Sequence, residues 1–171
     1  MQPFNFDKTS LAAVVIDIGR TKLADGSWLE DKIKGSLIHR AKQTKKPCLI
    51  WLPQAVDKLP KSMSESTYQI DSFKQKNNDY KIIEDIKKAS CILGESNEDC
   101  EKHFVLITKN FHDSYADLFK LIENKDYEFK VTIIAIGKEN DLLQILSEEN
   151  NANFIKIQNL NDLTNKIGDI G

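Results

Sequence analysis

The chain has 171 residues, 40% of them hydrophobic and 29% charged, with a formal net charge of −2. That length buries a sizeable core without disulfides or metal, and a single domain over 1–171 is the expectation. The slightly acidic balance, with an isoelectric point near 5.9, supplies no basic field for nucleic acid or anionic lipid, so neither is an expected partner.

The N-terminal MQPFNFDKTS has neither the basic start nor the cleavage site of a secretory signal, and the apolar run after it is too short to span a bilayer. The expectation is a cytoplasmic protein with no membrane partner. That run, LAAVVID over 11–17, reads as a buried parallel strand. Leu29, Ile33, Leu37 and Ala41 recur every fourth residue and predict a helix over 28–43, which Pro47 closes. CLIWLP (48–53) is the second strand. The interval 54–81 breaks the rhythm: after Pro53, Pro60 and the polar KSMSES comes TYQIDSF, in which Tyr68, Ile70 and Ser72 alternate with Thr67, Gln69 and Asp71. Alternation of period two predicts an antiparallel edge strand after a long loop. Ile82, Ile86, Ala89 and Leu93 then form a helical stripe stopped by Gly94, and FVLIT (104–108) a strand. A helix on Tyr115, Leu118, Phe119 and Ile122 leads to the strand VTIIAIG (131–137). Leu142, Ile145 and Leu146 mark a helix, NFIKI (153–157) a strand, and Leu160, Leu163 and Ile167 the last helix. The alternation specifies a doubly wound, three-layer α/β/α, Rossmann-like fold whose mostly parallel six-stranded sheet has one antiparallel edge strand.

Cys48, Cys91 and Cys100 are odd in number and lack C-x-x-C spacing, which fits a reducing compartment and neither a disulfide framework nor a zinc site. His39, His103 and His112 fall at a helix surface, a strand start and a loop. The lysines at 45–46 and around 58–61 read as solvated surface.

Chemistry concentrates in AAVVIDIGRTK (12–22), where an apolar strand ends in a carboxylate. Ligands of open α/β sheets lie at the carboxyl ends of the strands, so Asp17, Thr108 and Gly137 are expected to converge at one end of the molecule. A first strand ending in D-x-G-x-T, an amphipathic helix, HFVLITKN and the closing VTIIAIGKENDLLQILSEENNANFIKIQNLNDLTNKI together resemble a von Willebrand factor type A domain over nearly the whole chain. The resemblance implies a Mg²⁺ site built from D-x-S-x-S on the first loop, a Thr from a second loop and an Asp after the fourth strand. Asp17 and Thr21 match the first and third motif positions, Gly19 lacks the middle hydroxyl, Asn77 or Asn78 stands for the Thr, and Lys109 stands where the acid belongs. An ammonium a few ångström from a divalent cation costs several kcal/mol at an effective dielectric of about 20. Three readings of Asp17 stay open: it hydrogen-bonds the following loop with Lys109 in solvent, it pairs with Lys109, or it holds Mg²⁺ weakly together with Thr21.

DIGRTK also resembles the phosphate loop of sugar kinases, though Arg20 follows Gly19 and the chain turns helical soon after Gly26. TSLAAVVID with KKPCLIWLP resembles isochorismatase-like hydrolases, which need a nucleophilic Cys at a helix start; Cys91 falls near a helix end. No Walker loop, G-x-S-x-G, H-E-x-x-H or G-x-G-x-x-G is present. The expected function is protein binding without catalysis, as a scaffold module or a subunit of a larger complex. Its partner surface comprises Asp17, Gly19, Arg20, Thr21, Asn78, Lys109 and Asn110, with Trp28 at the rim or as the first core residue of its helix. No cofactor is expected beyond low-affinity Mg²⁺.

Overall fold

A computed structural model describes residues 9–75, 82–95, 100–109, 111, 114–122, 129–137 and 141–171. The first apolar run forms β1 (Ser10–Asp17), buried along its whole length except at Asp17. A strand apolar on both faces must lie inside a sheet covered on both sides. It does: β2 (Cys48–Trp51), β3 (Glu101–Thr108), β4 (Lys130–Ile136) and β5 (Asn153–Ile157) complete a sheet of order β2-β1-β3-β4-β5. All four pairings are parallel.

Among the described residues six helices connect and cover it: α1 (Leu29–Ala41), α2 (Met63–Ser72), α3 (Ile83–Glu95), α4 (Tyr115–Ile122), α5 (Asp141–Glu149) and α6 (Leu160–Gly168). Ala12, Val14 and Ile16 point to one face, where they pack with Leu29, Ile33 and Leu37 of α1 and Leu163 and Ile167 of α6. Leu11, Ala13 and Val15 point to the other, against Ile86, Ala89 and Leu93 of α3, Leu118 of α4 and Leu143 of α5. The period of two along β1 thus builds two separate cores.

Two expectations are corrected. The antiparallel strand expected over 67–72 is α2, and the sheet has five strands, all parallel, among the described residues. The signal that wins is the helix start S-x-x-E: Ser62 is the N-cap, its hydroxyl accepting from the Glu65 N–H at 3.2 Å, while the Glu65 carboxylate accepts from the Lys61 N–H. Burial follows i, i+3, i+4, with Ser66, Gln69 and Ile70 inward and Tyr68 70% exposed. In α5 the inward face is Leu143, Leu146 and Ser147; Leu142 and Ile145, expected in the core stripe, are 56% and 53% exposed. The i, i+3, i+4 pattern starts one residue later than the leucine pair suggested.

With a helix in place of a sixth strand, the outer edge of β2 has no neighbouring strand among the described residues, and α2 supplies the acceptors itself. The Ile50 N–H donates to Ser66 Oγ at 3.0 Å and the Leu52 N–H to Gln69 Oε1 at 3.1 Å. Polar groups on a helix thus close an edge that would otherwise offer unpaired donors.

Candidate functional site

The order β2-β1-β3 places the chain's reversal between β1 and β3. The chain leaves β1 for α1 on one face and β3 for α4 on the other, so the two loops diverge and open a crevice at the carboxyl ends. Asp17 and Thr108 are register partners there, and Thr108 pairs on its other side with Ala135. Gly137 follows at the end of β4, so the expected convergence of the three strand ends is present.

Thr108 is fully buried and its hydroxyl donates to Asp17 Oδ2 at 2.8 Å. The Lys109 N–H continues the ladder to the Asp17 carbonyl at 2.7 Å. The half-buried Lys109 turns its ammonium toward the first loop and donates to Thr21 Oγ1 at 3.3 Å, while that hydroxyl donates to the Ile18 carbonyl at 2.8 Å. Lys109 therefore crosses the crevice to Thr21.

Gly19, the position that lacks a motif hydroxyl, has φ +59°. The left-handed turn between Asp17 and Thr21 thus gives a conformational reason for glycine there. Beyond Thr21 the loop folds on itself: Lys22 bridges antiparallel to Trp28, and the Leu23 N–H donates to the Ser27 carbonyl at 2.7 Å. At its tip Asp25 Oδ1 accepts from the Ser27 hydroxyl and N–H, which lowers the carboxyl pKa.

Trp28 is the extended N-cap residue of α1, and the first core residue of that helix is Leu29. The indole is half-buried and carries two cations, the Arg20 guanidinium at 5.3 Å and the Lys22 ammonium at 5.4 Å from the ring centre. Cation–π attraction of this kind fixes the direction of otherwise mobile side chains. Lys22 was not among the candidates read from the sequence; its alternation with Arg20 ahead of an aromatic is the one local cue.

Two glutamines buttress the site and carry no sequence signature. β2 ends at Trp51, opposite Ala13, so the far half of β1 lacks a strand on that side. Gln54 takes its place: Oε1 accepts from the Ile16 N–H at 2.7 Å and Nε2 donates to the Ile16 carbonyl at 2.9 Å. Gln75 Oε1 accepts from the Ile18 N–H at 3.1 Å.

Asn78 and Asn110 lie outside the described residues, as do Asn77 and His112. His39 is exposed on α1, and His103 lies within β3 with Nε2 2.7 Å from Thr132 Oγ1. Cys91 is exposed late in α3, away from the helix start that an activated thiol uses. Among the described residues no three His, Cys, Asp or Glu side chains cluster as a metal site, and no helix is long and apolar enough to cross a membrane.

No family model matches the sequence, and no curated protein matches it significantly. Solved structures do match. A von Willebrand factor type A protein from Catenulispora acidiphila superposes with a TM-score of 0.61 at 13% identity, over 95% of this chain and 42% of that one. An aerotolerance-related membrane protein from Bacteroides fragilis, carrying multiple mutations to serine, superposes with a TM-score of 0.58 at 14% identity, over 94% of this chain and 97% of that one. At such identities the likeness speaks for the fold. With its parallel sheet, helices on both faces and these neighbours, the chain has a von Willebrand factor type A fold.

Proposed function

We propose that this chain is a protein-interaction module, without catalytic activity, that engages its partner through the loops at the carboxyl end of the sheet and without a tightly bound metal. The observation that carries the reading is Lys109 reaching Thr21 Oγ1 at 3.3 Å across the β1/β3 crevice. In the fold family that region holds Mg²⁺; here Asp17 and Thr21 are two oxygen donors of the six that an octahedral cation takes, and one of them already faces an ammonium. A metal would have to displace that cation or sit beside it.

The rim supports the same reading. Arg20, Lys22 and Trp28 form a preorganised aromatic and cationic group, and Trp and Arg are the side chains that most often anchor protein interfaces. Asn78 and Asn110 belong to the same proposed surface by their place in the sequence. The family's use of such modules for assembly suggests a subunit of a larger complex, and the odd count of Cys48, Cys91 and Cys100, without C-x-x-C spacing, suggests a cytoplasmic one.

The test is affinity capture with the wild-type chain, with Trp28→Ala and with Lys109→Glu, each in chelator and in millimolar Mg²⁺. A partner retained in chelator and lost with either variant supports the module. A partner lost in chelator alone would establish metal-dependent recognition instead, and turnover of a small substrate abolished by Asp17→Asn would make the crevice an active site.

A further inference from the structure

At the end of the sheet away from Asp17, the loop between β2 and α2 leans over the beginnings of the strands and leaves a recessed hollow of about 350 Å³. Its wall is mostly aliphatic, from Leu11 of β1, Leu49 of β2, Leu59 and Pro60 of the loop and Ile92 of α3, with Ser10 and Cys100 at the strand beginnings. Among the described residues, the only charged side chains lining it are those of Lys58 and Lys61, both exposed at its edge. Asp57 and Glu65 line a wider groove that shares these lysines, but Asp57 pairs with Lys88 and Glu65 accepts from the Lys61 N–H.

The overhanging loop is held from three sides. Its first turn closes with the Val56 N–H on the Leu52 carbonyl at 3.1 Å, and Trp51 Nε1 donates to the Val56 carbonyl at 3.1 Å. Lys88 of α3 donates to the Pro53 carbonyl at 3.0 Å, and Gln69 of α2 to the Lys58 carbonyl at 3.3 Å. The hollow is therefore preformed, and a ligand need not order the loop to enter it. A recess of a few hundred Å³, mainly apolar with a small number of polar groups at one place, is the usual form of a small-molecule site.

We propose that this hollow binds a free aliphatic carboxylate of the fatty-acid type, its chain against Leu11, Leu49, Leu59, Pro60 and Ile92 and its carboxylate paired with Lys58 and Lys61. The two lysines, which carry all the charge among the described lining residues, select the anionic head, and the aliphatic wall selects a tail over an aromatic or sugar ring. The assignment is independent of the partner surface around Lys109, which lies at the other end of the strands.

The experiment is a titration of isotopically labelled protein with decanoate below its micelle concentration, following the methyl signals of Leu49, Leu59 and Ile92. Acetate, decyltrimethylammonium and phosphatidylglycerol vesicles serve as comparison probes. Decanoate is expected to shift those methyls saturably, with at least tenfold weaker binding of decyltrimethylammonium and no effect of acetate. The double variant Lys58→Glu with Lys61→Glu changes exposed side chains only, and it is expected to weaken decanoate at least tenfold while the remaining methyl spectrum stays unchanged. Equal affinity for the two heads, undiminished binding by the double variant, or no saturable shift overturns the proposal. So does a response to vesicles alone, or a dimer that covers these methyls.

Discussion

Thr108 and Asp17 end neighbouring parallel strands in register, and the buried Thr108 hydroxyl holds one oxygen of the Asp17 carboxylate at 2.8 Å. A hydrogen bond to a charged acceptor contributes about 1.5–3 kcal/mol, and valine has nearly the shape of threonine. Thr108→Val is therefore expected to lower the unfolding free energy by about that amount in urea titration. Thr108→Ser should recover most of the loss, whereas a valine variant as stable as wild type would show that the bond contributes nothing.

Gln54 completes β1 where β2 has ended, so its removal orphans both the N–H and the carbonyl of Ile16. Gln54→Leu should cost about 1–3 kcal/mol and raise the hydrogen-exchange rate of the Ile16 amide more than that of Val14. Gln54→Asn is one methylene short and is expected to fall on the leucine side. Unchanged exchange at Ile16 would sink this account.

The outer edge of β2 rests on Ser66 and Gln69. Replacing both, by Ser66→Ala with Gln69→Leu, leaves two strand donors facing an apolar helix, and each orphaned group costs about 1–3 kcal/mol. The variant should also self-associate near its unfolding midpoint, seen as light scattering that wild type lacks, since an uncovered edge pairs with other chains. Full stability with no scattering would mean that backbone shifts or water satisfy the edge.

His103 has its pKa lowered from 6.5 to about 4, chiefly because burial disfavours the charged ring, with Lys130 adding to the effect and Glu101 opposing it. The unfolded chain takes up this proton near pH 6.5 and the folded chain only near pH 4, so below pH 6.5 the unfolded state binds more protons. Stability is then complete above that pH and declines as pH falls toward 4, by about 2 kcal/mol once partial exposure is allowed for. Asp57 and Glu101, whose pKa values are lowered by Lys88 and Lys130, begin to lose their contributions only below their ordinary values of 3.8 and 4.5. His103→Phe should flatten unfolding free energy between pH 6.5 and 4.5. An identical slope in the variant would assign it to other groups.

Gly19→Ser restores the motif hydroxyl but puts a side chain at φ +59°, where an L-residue costs about 1–2 kcal/mol. The variant should melt lower than wild type in chelator. Millimolar Mg²⁺ or Mn²⁺ is expected to leave the wild-type midpoint unchanged, because binding to the folded state alone would raise it. A rise in wild type that Asp17→Ala abolishes would establish a working metal site beside Lys109.

Among the described residues, the sequence by itself determined the five parallel strands, five of the six helices, and the placement of Asp17, Thr108 and Gly137 at one end. Those features rest on local signals: apolar runs long enough for a buried strand, i+4 stripes, and a polar residue where a run stops. The stretch 63–72 misled because Tyr68 and Ile70 mimic alternation, and only packing against α1 and the β2 edge shows that Gln69 faces inward. The site is another matter. Thr108 with Asp17, Lys109 with Thr21, and Gln54 with Ile16 are pairs separated by 91, 88 and 38 residues. Whether such side chains meet depends on strand order and register, which join residues that no sequence window contains. The sequence placed a carboxylate and an ammonium at the same end of the sheet; tertiary structure turned the carboxylate to a neighbouring threonine and the ammonium to the loop opposite.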